Sequence, residues 1–201
     1  ISPSDALNDP VLAKSVRMIE NLCKYFFSAR FPAIDCVWGI EDNPTPNACV
    51  LLTGGVTEVY ITSGALNLFE TTRHDLVARG FFGRVVLPSL FGVGATPAIP
   101  ANDLAETTQL FGLAMLFAHE LGHVHDMHFT PSHPNNQQDL VLAEEISADG
   151  IAILSGLQLS DAWASDLSNR LHYDETGLRK LGAYLLILAN ALLDSIKVDE
   201  T

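Results

Sequence analysis

The chain has 201 residues, 48% of them hydrophobic, which suits one globular domain with a sizeable core, and no second domain is expected. Only 11 basic residues stand against 24 acidic ones, for a net charge of -13. That balance argues against a nucleic-acid-binding surface and against charge-driven attachment to anionic membranes; it suits basic substrates, and plain solubility equally well.

Ile1 opens the chain without an initiator methionine, as removal of a signal peptide, an anchor or another domain would leave it. Asp9-Pro10 is a cap and first-turn pair, and Leu12, Val16, Ile19, Leu22, Cys23 and Phe26 then recur at helical spacing. An amphipathic first helix ending near Ser28 is predicted. Ala33 to Trp38 reads as a short strand, Glu41 to Asn47 as a turn or loop, and Ala48 to Leu52 as a second strand. Thr53-Gly54-Gly55 breaks that strand, and the β-branched and aromatic run Val56 to Thr62 resumes it. Ser63 opens a helix carrying Leu66, Leu68 and Phe69. The outcome is an α+β fold, mainly helical, with a sheet of two to four strands.

Cys23, Cys36 and Cys49 are too few and too scattered for a disulfide framework, and no CxxC pair exists. That Cys36 and Cys49 face each other across two strands is the lesser of two readings, the other being that they lie apart. The odd count points to a reducing compartment, the cytoplasm. No stretch approaches the roughly 20 apolar residues needed to cross a bilayer.

Gly80 to Pro100 is apolar yet rich in glycine and proline, and it fits neither period. Two readings stand: a segment that walls the substrate cleft or touches a membrane or partner, or a segment folded back onto the core.

Asn102 or Asp103 can cap the next helix, expected to run to about His128. From Leu110 to Ala118 it is apolar on nearly every side, which marks a buried helix. It then reads His119-Glu120-Leu121-Gly122-His123. Histidines four apart share a helix face one turn up, so His119 and His123 can aim at one metal ion. Glu145, 22 positions after His123, supplies a third ligand, and catalytic zinc usually keeps three protein ligands with water in the fourth place. Glu144 competes for the role; Glu145 is preferred because only it has an acid, Asp149, four residues on. Asp149 is then set to accept the second ring proton of a ligating histidine. Glu120 is placed to take the proton of a metal-activated water and pass it to a leaving amine. The zinc class with ligands at positions 1, 5 and 11 is excluded, since Phe129 stands at 11; His125 and His128 are read as solvated or as lying behind the ligands, and His133 as solvated.

Thr130 to Asn136 reads as a loop. A second site helix is expected from Asp139 to Ser155, with Leu140, Leu142, Ile146, Ile151, Ile153 and Leu154 for burial, stopped by Gly156, then one from Ser160 to about Leu171 and a last one from about Glu175 to Ile196.

With these motifs placed, the chain resembles the gluzincins, zinc peptidases whose two motif histidines are joined by a downstream glutamate. It looks most like the HtpX and CAAX prenyl endopeptidase family and its soluble relatives, the minigluzincins. The likeness rests on Asn47-Ala48 through Gly54-Gly55-Val56 to Ile61-Thr62-Ser63-Gly64-Ala65-Leu66, on His119 to His128, and on Glu145 to Asp149. The resemblance implies a single zincin-like metallopeptidase domain over residues 1–201, with the small sheet packed on the active-site helix and one zinc ion per chain. It implies a zinc metalloendopeptidase acting on a peptide or protein substrate. In that family substrate adds to an edge strand, which would make Val56, Val59 and Ile61 substrate-binding residues. Gluzincins also use a further histidine, tyrosine or arginine on the oxyanion; His172 and Tyr173 are the candidates, with Arg170 and Arg179 behind them. The alternative is a non-catalytic or latent zinc-binding regulator on the same fold.

Overall fold

The computed structural model describes residues 12–92, 99–125 and 137–197. The first helix, α1 (Ala13–Asn21), passes into a π-helical stretch, Leu22–Phe27, and closes as α2 (Ser28–Arg30). Three strands follow, β1 (Cys36–Glu41), β2 (Ala48–Thr53) and β3 (Val56–Thr62), then α3 (Ser63–Ala78). A second π-helical stretch, Phe82–Val86, leads into α4 (Leu87–Phe91). Three long helices complete the chain: α5 (Ala101–His125), α6 (Gln137–Leu171) and α7 (Glu175–Lys197). The fold is α+β and mostly helical, as composition and pattern predict.

The described residues cluster into two compact units, Ile1–Asn67 with Leu113–Ser155, and Leu68–Gly112 with Gly156–Thr201. The first holds the sheet. Its strand order is β1-β3-β2, with β1 parallel and β2 antiparallel to β3. β2 and β3 form a hairpin whose two-residue turn, Gly54-Gly55, has φ of 61° and 88°. Positive φ at both positions is what a tight hairpin matched to strand twist demands, and glycine adopts it without a Cβ penalty. Alternate residues of β3, Thr57, Val59 and Ile61, are buried. Thr62 ends the strand and starts α3: its Oγ1 accepts from the Asn47 amide at 2.8 Å and the Ala65 amide at 3.2 Å.

The core of this unit continues through Val16, Ile19, Phe27, Leu113, Phe117 and Leu121. Phe27 stacks on Phe117 with centroids 5.0 Å apart. Such pairs add about 0.5–1.5 kcal/mol beyond area burial.

In the second unit the stretch from Gly80 is folded back onto the core. Phe82 and Val86 are fully buried, and Pro88 comes directly after the π-helical stretch, within one continuous helical run to Phe91. Residues 93–98 lie outside the described residues. Glu70, buried, pairs with Arg73 at 2.9 Å and accepts from Gln109 Nε2 at 2.9 Å. α7 is long and apolar enough to cross a membrane by length and composition, which the sequence reading did not anticipate. Its Leu178, Leu181, Leu185 and Ala189 are fully buried, so the helix serves as core.

Four local expectations need correction. The first strand begins at Cys36, not Ala33. The first α5 bonds run from the Asp103 and Leu104 amides to the Pro100 carbonyl, so Asn102 and Asp103 lie within the first turn instead of capping it. Gly156 does not stop α6, which runs on through Leu171. Cys36 and Cys49 do not face each other, because β3 lies between them; two strand spacings, about 9.6 Å, exceed the reach of a disulfide.

All three cysteines are free. Cys23 and Cys36 instead border a shared cavity of about 220 Å³ with Phe27, Phe31, Phe117 and Leu121. Burial pushes the Cys23 thiol up from 9.0 to about 12, with Cys36 and Glu20 adding to it. Burial likewise pushes Cys36 up to about 11, with Asp35 adding. Both values lie above that of the unfolded chain, which therefore releases thiol protons first as pH rises. The stability due to these thiols is complete below about pH 9 and is lost towards pH 11 to 12. Urea unfolding between pH 8 and pH 11 should show a steeper fall for wild type than for a Cys23→Ala/Cys36→Ala variant; parallel curves would contradict this.

Candidate metal centre

The centre is built on the last two turns of α5 and the third and fourth turns of α6, all within the first unit. α5 is apolar from Leu113 to Ala118 because it is enclosed, and Leu121, pointing away from the motif histidines at 100° per residue, continues that buried face. α6 approaches through small residues. A methyl group added at Gly122 would stand 2.9 Å from Ala148 Cα and 3.3 Å from its Cβ, so the two backbones meet there. Gly122 precedes His123 and Ala148 precedes Asp149, so this contact sets how near the acids come to the imidazoles. Arg30 Nε donates to Ser155 Oγ at 2.9 Å, fixing α6 further along against the end of α2.

His119, His123 and Glu145 converge closely enough to hold one metal ion, each offering a ligand atom within 4.8 Å of the others. His119 Nε2 lies 3.2 Å from His123 Nε2 and 3.4 Å from Glu145 Oε2, and His123 Nε2 lies 3.6 Å from Glu145 Oε1. The His119 side chain is 8% exposed and that of Glu145 46%, so the group is buried on one flank and open on the other. Glu144, the rival on sequence grounds, is not in the group. Asp149 Oδ1 stands 2.9 Å from His119 Nδ1. A ring proton held there leaves Nε2 bare and directed at the ligand cluster.

Glu120 is buried beside His119. Its charge reaches the sheet: burial pushes the Cys49 thiol on β2 upward, and the carboxylates of Glu120 and then Glu41 add to that shift. His125 sits edge-on to Phe31, ring centroids 5.9 Å apart, and takes no part in the cluster. His128 and His133 lie outside the described residues.

The substrate strand requires correction. Val56, Val59 and Ile61 belong to the central strand, hydrogen-bonded to β1 on one side and β2 on the other, and Val59 and Ile61 are fully buried. β3 has no free edge. An added strand has only the outer edges of β1 and β2 to pair with. His172 and Tyr173 belong to the second unit, where α6 ends. His172 takes a φ of 53°, while Tyr173 packs edge-on to Phe91 and its carbonyl accepts from Ser168 Oγ at 2.7 Å. Arg170 pairs with Asp166, and Arg179 with Asp161 and Glu175.

The Gly122–Ala148 contact and the Arg30–Ser155 bond were missed in the sequence. A glycine between two ligand histidines is a usable signal for close helix approach; Arg30 gives none. Models of known protein families, curated proteins and solved structures were all compared with this chain, and none matches.

Two substitutions test this geometry. Asp149→Asn should weaken metal affinity by about 10- to 100-fold with little change in melting temperature. Gly122→Val should weaken it further and lower the melting temperature, because the added methyls meet backbone. Chelator competition titrations read the first and thermal unfolding the second; unchanged affinity in both variants would contradict the assignment.

Proposed function

We propose that this chain is a zinc metalloendopeptidase of the gluzincin type, hydrolysing peptide bonds in a peptide or protein substrate. The observation that carries this reading is the convergence of three donor groups. Ligands at the usual zinc distances of 2.0 to 2.2 Å stand about 3.3 to 3.6 Å apart at tetrahedral angles. Here the two Nε2 atoms stand 3.2 Å apart, and the Glu145 carboxylate comes within 3.4 Å of His119 through Oε2 and within 3.6 Å of His123 through Oε1. Two imidazoles and one carboxylate are a donor set suited to zinc, and three protein ligands leave a fourth position for water or substrate. In this reading His119, His123 and Glu145 hold the ion.

Zinc supplies a Lewis acid that brings the pKa of a water molecule to about 7 and polarises a carbonyl oxygen. The chain's own residues do the rest. Asp149 keeps His119 in the tautomer whose Nε2 is free. Glu120, buried next to a ligand, takes the proton of the attacking water and returns it to the departing amine. No covalent link to the protein forms. The alternative of a non-catalytic regulator is disfavoured by Glu120, since a purely structural site has no use for a buried base beside its ligand.

Glu120→Gln should retain fold and bound zinc while hydrolysis of a casein or quenched-peptide substrate falls by about 10²- to 10⁴-fold. Chelation should abolish wild-type hydrolysis and added zinc restore it. A Gln variant as active as wild type would contradict the mechanism.

A further inference from the structure

α6 bears the acids of the metal centre, and it also turns large apolar side chains outward. Within the first unit Leu142 is 60% exposed, Ile146 63% and Ile153 46%. At 100° per residue these three fall within about 40° of arc, along about 16 Å of helix. Gly150 falls beside them, with nothing within 4 Å of where its Cβ would be. Between Leu142 and Ser155 the buried positions of the same helix are small residues, Ala148, Ala152 and Ser155, on the opposite side, with Ile151 reaching towards Gly122 beside them. This inverts the usual amphipathic helix, whose large apolar residues face the core. A contiguous exposed apolar stripe of this kind marks an interaction surface.

Charge selects the occupant. Glu145 and Asp149 run along one border of the stripe, each about half exposed. From residue 137 to 169 the helix carries acids but no lysine or arginine. A second copy of a chain with net charge -13 would set acid against acid, and an anionic membrane would be repelled in the same way. We infer that the outer face of α6 docks an amphipathic helical segment of a partner protein, its apolar stripe flanked by lysine or arginine. Gly150 supplies the notch into which a side chain of that helix packs. The border acids belong to the metal centre, so docking covers the open flank of that centre. The inference concerns the surface alone and does not require the peptidase reading.

The test uses the full chain and two labelled peptides of about 18 residues, about 27 Å as helices, with one apolar pattern: leucine with lysine, and leucine with glutamate. Fluorescence anisotropy should show the lysine peptide binding at least about tenfold tighter than the glutamate one. Ile146→Ser/Ile153→Ser should weaken that binding by about tenfold or more. Gly150→Leu, which fills the notch where nothing obstructs it, should do the same and keeps the test decisive if the double variant fails to fold. Equal binding to wild type and Gly150→Leu would overturn the inference, because general acidity and not this face would be responsible. Dimerisation in sedimentation, or binding to phosphatidylcholine vesicles, that is lost in Gly150→Leu would overturn it in favour of a second copy or a lipid surface.

Discussion

Two imidazoles and a carboxylate held within 3.2 to 3.6 Å of one another, at the end of a helix buried over its preceding turns, set the terms for the first unit. Such groups are costly to withdraw from water without partners. A metal ion bound there would offset that cost and couple ligand geometry to folding. The close approach of α5 and α6 at Gly122 and Ala148 makes the cluster possible, and the stacked Phe27 and Phe117 hold α5 from its other side. One helix thus faces two demands, a dry apolar back and a polar front, and the motif meets both by alternating them at helical spacing.

Much of this was legible in the sequence because it is local. The histidine pair needs only the helical period, and Glu145 with Asp149 needs only the same period one helix later. β3 is bounded as its β-branched run suggests, and Gly54-Gly55 marks the hairpin. The sheet order was not legible. β1 pairs parallel to β3 across the whole of β2, a nonlocal choice that no strand's own pattern encodes, so Val56, Val59 and Ile61 were read as an edge when they form the centre. The burial of Val59 and Ile61 follows from that pairing and from the core beneath it.

The misplaced end of α6 has a different cause. An interior glycine costs a helix only about 1 kcal/mol relative to alanine, and the apolar residues on both sides of Gly156 outweigh it. A glycine stops a helix reliably only when the chain beyond has reason to leave. The stretch from Gly80 shows the same with proline: Pro88 looks like a breaker, yet the helical run from Phe82 to Phe91 continues through it, with a π-helical turn just before it. The outward stripe of α6 was hidden for a related reason. Leu142, Ile146 and Ile153 were assigned to burial because apolar residues usually are, and only the structure shows Ala148 and Ala152 taking that place.

The central claim is that three side chains form one zinc site, and metal analysis of the purified protein tests it most directly. Elemental analysis of protein prepared without added metal or chelator should find about one zinc per chain, falling to near zero in His123→Ala. No bound metal, even after zinc is supplied, or equal zinc in wild type and His123→Ala, would contradict it.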